Sequence, residues 1–487
     1  MAILSGAAIY LQRGACVDDA YVSFVYARNL ARGNGLVFNL GERVEGYSNF
    51  LWVIMLAGLN RFFGVPIPQT AQIIGAILGI LNVLLVFSLA RRILGDANEK
   101  WAFAAAMLTA MDYRVASWSI RGLETPLYLF FVLAAIRLYM FQRWRWLWSI
   151  PALGAALTRP EGPILFGALA IHRIAVLIRE KRFPDKADIG AAAVFSIPFI
   201  AYTAWRMTYF GGFLVPNTYY ARGGAGPFIG MLYIMLESWR AWGPVLVIFV
   251  PVAIYALFKG NADVWLILVW AIVAKVFVII AGGDWMPNAR FLVPIIPALF
   301  ILCAFFCANI SRRWLRIGII SLLFAVQIGG LFIYETRPSF DKLWSQHQDE
   351  FYMPVARKLD QLGARGQLVA LSDIGYVTYY SGIRVIDTLG LVDRHLARMR
   401  GGPEWSTDLD YVIGRRPVYV VTMVRRYGKV EIGHTAFDRE ALVSPIFLEN
   451  YKLETIVPGY HASELSFDDF RHHDYDVEFR IWRRQGA

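Results

Sequence analysis

The chain reads as a polytopic α-helical membrane protein with a soluble α/β domain at its C-terminal end. Three observations predict this. Of 487 residues, 57% are hydrophobic and 17% charged, against about a quarter charged in a soluble domain. The apolar residues form long runs separated by short basic loops. After Tyr334 the runs stop and charged residues are spread throughout. So much apolar surface cannot be hidden in a soluble core, and lipid must solvate it.

Candidate spans lie at 1–13, 70–90, 101–118, 126–141, 146–158, 162–179, 189–209, 240–258, 263–281, 290–309 and 314–334. That gives about eleven crossings by the usual length rule. The first is short, since only Ala2–Leu11 is apolar before Arg13. It has no basic leader or small-residue cleavage site either, so the natural start is expected upstream. The run 49–63 ends in Asn60-Arg61 and is read as a helix lying along or dipping into the membrane.

Basic residues orient these spans. Arg91-Arg92 and Lys100, Arg143 and Arg145, Arg179 to Lys186, Lys259, and Arg312, Arg313 and Arg316 fall in alternate loops. The positive-inside rule makes that side cytoplasmic. It also accounts for the net charge of +11 without a nucleic-acid partner. The opposite loops, 14–69, 121–126, 158–162, 210–239 and 282–290, are then periplasmic or extracellular. The division is 1–335 for the transmembrane domain and 336–487 for a periplasmic α/β domain. In the latter, Gln367–Leu371, Arg384–Ile386 and Pro417–Val421 read as strands, and the stretch around Phe351–Leu362 as a helix. Cys303 and Cys307 share a helix face as small packing residues, and with Cys16 they make no disulfide framework.

The polar clusters gather at the outer ends of the spans. Asp18-Asp19 follows the first apolar run. One of these carboxylates can act as general base on a hydroxyl, or it can cap the helix beginning near Ala20. Arg28, Gly33-Asn34-Gly35 and Glu42 to Asn49 continue a dense polar segment, which also fits a solvated loop. Arg121 and Glu124 sit at one outer end, Arg159 and Glu161 at another. An arginine there can hold a lipid phosphate by forked hydrogen bonds, oriented by its glutamate, or it can snorkel to headgroups. Asn217, Tyr219 and Tyr220, with Asp284, Trp285, Asn288 and Arg290, add amides, aromatic faces and arginine. Those groups suit sugar and phosphate, and the aromatics also suit interfacial anchoring. Ser372-Asp373 to Tyr376 and Val385 to Leu391 follow tail strands, where polar residues often border ligand sites. His472-His473 reads as a surface pair.

The run Asp18-Asp19-Ala-Tyr through Arg28-Asn29, Gly35, Phe38-Asn39, Glu45-Gly46 and Asn49 resembles the first outer loop of GT-C glycosyltransferases. Among these it is similar to the mycobacterial terminal arabinofuranosyltransferase family. Arg121-Gly-Leu-Glu124-Thr-Pro, Thr158-Arg159-Pro-Glu161-Gly, Asn217-Thr-Tyr-Tyr, Gly283-Asp284-Trp-Met through Arg290, and Asp373 through Asp393 resemble it too. The likeness spans nearly the whole chain; the shortened first helix departs from it.

The resemblance implies an inner-membrane, multi-pass, inverting transferase with its site on the periplasmic face. The donor would be a polyprenyl-phosphate sugar, decaprenyl-phosphoryl arabinofuranose in that family. The acceptor would be a cell-envelope glycan or glycoprotein. A first-loop Asp is the base, a role that carries to Asp18 or Asp19 with Asp18 favoured. Arg121 and Arg290 are the first choices for the phosphate. No cofactor is implied and no metal triad is visible, although a divalent metal requirement stays open. Rival readings are another lipid-linked sugar (a hexose or aminopentose), a lipid-linked glycan flippase, and a membrane scaffold.

Overall fold

The computed structural model describes the chain except residues 142–144, 222–225, 285, 287, 337–347, 400–405, 428, 461–475 and 487, and the side chains of 244, 333–336 and 460. Trp285, Arg143 and His472-His473 therefore lie outside the described residues.

A helix stands at every apolar run, but not every run is one span. Among the described residues, five helices are long and apolar enough to cross a membrane: Ile67–Leu94, Gly162–Arg179, Lys186–Tyr209, Ala262–Ile280 and Arg313–Phe332. A sixth crossing results if the pair Gly226–Trp242 and Leu246–Lys259, bent by 108°, counts as one. Ala2–Leu11, Phe50–Phe63, Thr125–Tyr139, Ser149–Thr158 and Ile296–Asn309 are apolar but shorter. Proline in the first turn opens the helices at Thr125, Gly162 and Ile296; there a missing N–H costs nothing, because the first amides have no intrahelical partner.

Two expectations need correction. The run 101–118 is broken into Glu99–Met111 and Tyr113–Trp118. The cause is Asp112, whose carboxylate accepts from the Arg114 and Val115 amides and so starts a new helix. The expected outer loop 210–239 contains most of the helix Gly226–Trp242. That helix packs on Ala262–Ile280. Gly230 permits the approach, because a Cβ there would lie 2.2 Å from the Ile279 carbonyl oxygen.

The segment after the first helix forms a second helix, Asp18–Ala31, which packs on Phe50–Phe63. The C-terminal part is α/β. Its strands are β1 (Leu368–Leu371), β2 (Arg384–Asp387), β3 (Tyr419–Tyr427), β4 (Val430–Gly433), β5 (Tyr451–Tyr460) and β6 (Asp476–Arg484). They form one sheet in the order β2-β1-β3-β6-β5, with β4 on β3. β1 runs parallel to β2 and β3, and the remaining pairs are antiparallel. Parallel pairing brings the carboxyl ends of β1 and β2 to one edge, with Leu371 opposite Asp387. That edge meets the first loop: helix Ile374–Ser381, which follows β1, packs on Asp18–Ala31. Buried residues of the helix bundle, the first loop and much of the sheet make one continuous apolar core.

Candidate active site

Asp18 and Asp19 occupy the first turn of their helix, but neither caps it. The N-cap is Val17, with no side-chain cap bond. The Asp18 carboxylate, 6% exposed, instead accepts from the backbone amides of Gly375 at 3.2 Å and Tyr376 at 2.6 Å. Burial, then the nearby Asp373 charge, push its carboxyl well above the usual carboxylate range. Two amide donors favour the ionised form and oppose that shift. Asp373 is itself raised to about 6 by burial, while a hydrogen bond from Tyr352 lowers it. Asp19, half-buried beside them, adds its charge to both. Three carboxylates from two distant parts of the chain thus act on one another at this junction.

A second network lies beyond the same helix. Ser23 donates to the Asn49 amide oxygen at 3.1 Å, and Asn49 donates to Glu124 at 2.8 Å. Arg159 bridges Glu124, at 2.7 Å, and Glu161. Glu124 therefore orients Arg159 across two helices rather than Arg121 in its own turn, as its spacing suggested. Gly122 at φ +85° turns the backbone between Arg121 and Glu124. Both charged partners of Arg159 are largely buried, so headgroup snorkelling does not describe it. Its guanidinium also lies 5.0 Å from the Phe291 ring centre. Glu161 and Tyr128 line a small cleft otherwise walled by apolar residues such as Ile164, Trp270, Phe277 and Pro294.

The other expected residues scatter around these centres. Arg121 is buried and bonded to Ser117 Oγ and the Ala15 carbonyl, both at 3.4 Å, and its own carbonyl accepts from Val17. This fixes it at the start of the Asp18 helix. Arg290 is paired with buried Asp284 at 2.8 and 3.3 Å, and the Asn288 carbonyl accepts from Trp118. Arg28 donates to the Tyr379 carbonyl and stacks on its ring. Asn217 donates to the carbonyls of Gly390 and Leu391, so its amide is engaged by the tail. Tyr220 lies under Arg398, and Tyr219 is exposed.

Five residues of these networks were not chosen as site residues from the sequence: Asp373, Asn49, Tyr128, Glu45 and Arg206. Glu45 pairs with Arg206 at 2.8 Å, and burial still raises its carboxyl to about 7. Asp373 left a trace as an acid at a strand end, and Glu45 and Asn49 as members of the dense first-loop segment; Tyr128 and Arg206 left none. Among the described residues no group of three or more His, Cys, Asp or Glu is placed to hold a metal.

The helical bundle with its C-terminal α/β part has the GT-C fold. Among the solved structures that share it are two with a bound lipid phosphate. One is ArnT from Cupriavidus metallidurans bound to undecaprenyl phosphate, with TM-score 0.61 and 12% identity, covering 98% of this chain and 96% of that one. The other is the archaeal oligosaccharyltransferase AglB from Archaeoglobus fulgidus in complex with an inhibitory peptide and a dolichol-phosphate, with TM-score 0.58 and 11% identity, covering 100% and 88%. By sequence, the chain is similar to the terminal β-(1→2)-arabinofuranosyltransferase of Mycobacterium tuberculosis, at 29% identity over 276 residues, 50% of this chain and 41% of that protein. It is also similar to the enzyme of the same name from Corynebacterium glutamicum, at 23% over 371 residues, 65% and 52%. The matched stretches span about half the length of these relatives or less. Residues 342–479 match a family described as a domain of unknown function, DUF8728.

Proposed function

We propose that this chain is an inverting glycosyltransferase of the outer membrane face of the cytoplasmic membrane. It moves a sugar, arabinofuranose, from a polyprenyl-phosphate donor to a hydroxyl of a cell-envelope glycan or glycoconjugate. The observation that carries this reading is the Asp18 carboxylate. Two amides hold it in one orientation at 3.2 and 2.6 Å, and burial raises its affinity for a proton. Those are the properties of a general base. The names of the sequence relatives, and the lipid phosphates bound in the two solved structures, support the donor class.

In this reading the acceptor hydroxyl gives its proton to Asp18 as its oxygen bonds to the anomeric carbon. The bond from that carbon to the phosphate oxygen breaks on the opposite face. The polyprenyl phosphate leaves with the electron pair, and one displacement inverts the centre. Asp19, beside Asp18, eases positive charge on the sugar in an oxocarbenium-like transition state. Arg121, anchored at the start of the Asp18 helix, and Arg290 stabilise the charge growing on the phosphate. Arg290 does so while shared with Asp284. The cleft beside Tyr128 and Glu161, apolar over most of its wall, suits the first isoprene units of the lipid.

The test is transfer of labelled sugar from decaprenyl-phosphoryl arabinofuranose in membranes containing the chain. Label entering a glycan, and lost in Asp18→Asn at normal expression, supports the base and the donor together. Full transfer by Asp18→Asn would overturn the assignment of the base. Absence of transfer from this donor, with transfer from a hexosyl or aminopentosyl lipid, would overturn the arabinofuranose assignment alone. Movement of lipid-linked glycan across the membrane without transfer would favour a flippase.

A further inference from the structure

The turn after β1 supplies the two amides that hold Asp18, and its Asp373 has no task in the mechanism just given. The Gly375 and Tyr376 amides lie in the first turn of helix Ile374–Ser381 and donate to Asp18. Position 375 has no room for a side chain: a Cβ would lie 2.1 Å from the Asp18 carbonyl oxygen and 3.0 Å from its Oδ2. Asp373, two residues earlier, accepts from the Tyr352 hydroxyl at 3.0 Å. Tyr352 is buried on helix Gln348–Gln361, which packs on Ile374–Ser381. The rings of Tyr21 and Tyr376 close the junction, with centres 4.5 Å apart.

We propose that the C-terminal domain completes the catalytic centre: the Gly375 and Tyr376 amides orient the Asp18 carboxylate, and Asp373 is a positioning residue for that base. The inference rests on the reading of Asp18 as the base.

Its physical content is electrostatic. Two carboxylates in one buried site do not ionise independently, and the pair holds a proton more tightly than either alone. Among the described residues, charged and titratable groups on several elements act on the pair. Asp19, on the helix that carries Asp18, adds negative charge, and Asp438, on helix Ala436–Val443, interacts with Asp373 in the same sense. Tyr352, by its hydrogen bond, and Arg425 on β3 work the other way on Asp373. Removing the Asp373 charge therefore lets Asp18 release its proton at lower pH.

The experiment uses the full chain in membranes, as wild type, Asp373→Asn and Tyr352→Phe. It has two readouts. One is the pH profile of kcat/KM for sugar transfer. The other needs no donor: labelling of Asp18 by an apolar carbodiimide, which reacts with the neutral carboxyl, followed by mass spectrometry across pH. In Asp373→Asn the acid limb and the labelling midpoint should both move down by about one pH unit. Tyr352→Phe should move them the same way by less, because Asp373 without its hydroxyl donor keeps its own proton longer. A limb and midpoint that stay in place while the rate merely scales would overturn the inference. If wild type transfers nothing, the labelling midpoint still decides the Asp18–Asp373 relationship, so failure of the transferase reading is seen separately.

Discussion

The side-chain amide of Asn39 pairs with the backbone of Val385 as a strand residue would. Its Nδ2 donates to the Val385 carbonyl at 2.8 Å, and its Oδ1 accepts from the Val385 amide at 2.9 Å. Val385 belongs to β2, the edge strand of the sheet. A first-loop residue thus occupies part of an edge whose polar groups would otherwise face solvent. Gly46 makes a second junction of the kind, since a Cβ there would lie 2.4 Å from Val392. Asn39→Ala should cost about 1–3 kcal/mol, because it leaves buried backbone groups without partners. Limited proteolysis should then cut between the first loop and the tail sooner than in wild type. An unchanged digestion rate and melting temperature would show that the junction is dispensable.

Arg159 holds two carboxylates in a site nearly closed to solvent. Arg159→Ala leaves Glu124 and Glu161 without their cation. Breaking a buried pair from one side costs about 3–5 kcal/mol. Arg159→Lys keeps the charge but cannot reach both glutamates with a planar fork, so its loss should be smaller though still measurable. Thermal unfolding in detergent, followed by tryptophan fluorescence, checks the order wild type, Lys, Ala. Equal stability of Lys and wild type would show that charge alone matters there.

Asp387 gives the stability of the tail a dependence on pH. It is fully buried at the end of β2 and accepts from the Leu389 and Val392 amides at 2.9 and 3.0 Å. Burial pushes its carboxyl up to about 7, whereas an unfolded aspartate titrates near 3.9, or roughly pH 4. Between those values the folded chain keeps a proton that the unfolded chain releases. Stability is therefore full below about pH 4, falls as pH rises through this window, and levels off above the folded value. The size is on the order of a few kcal/mol. Glu45 and Asp438, also raised to about 7 by burial, act in the same direction. The difference in melting temperature between wild type and Asp387→Asn should therefore change between pH 5 and pH 8. A constant difference would contradict the assignment.

Sidedness can be read with a single new cysteine. Cys16, Cys303 and Cys307 are all buried, so background labelling should be low. Val443→Cys, at a position 74% exposed in the tail, should react with an impermeant maleimide on intact cells. Arg182→Cys, in the basic loop after Gly162–Arg179, should react only after permeabilisation. The reverse pattern would invert the topology and move the site to the cytoplasmic face.

The outline of the fold was legible because it follows from solvation. Runs such as 70–90 and 263–281 have to leave water, and they are the helices Ile67–Leu94 and Ala262–Ile280. Strand periodicity in the tail placed β1 and β2 within one residue and the start of β3 within two, but β3 runs on to Tyr427, six residues past the expected end. The sequence misled where one polar residue outweighed its apolar neighbours, as Asp112 does by opening a new helix inside an apolar run. It misled again with Glu124, which spacing assigned to Arg121 and packing assigns to Arg159.

The sequence by itself determined where lipid must be the solvent, which part of the chain leaves it, and which short segments carry acids, arginines and aromatics beside it. It did so because hydrophobicity and charge act locally, residue by residue. Only the tertiary structure decided which of those groups meet. Asp18 and Tyr376 are 358 residues apart, and no local periodicity encodes their contact. It comes from parallel pairing of β1 with β2, which places the turn after β1 at the sheet edge that covers the first loop. The same packing removes water from Asp18 and part of it from Asp373, and it is that loss of solvent, more than the residue types, that pushes both carboxyls above the usual carboxylate range.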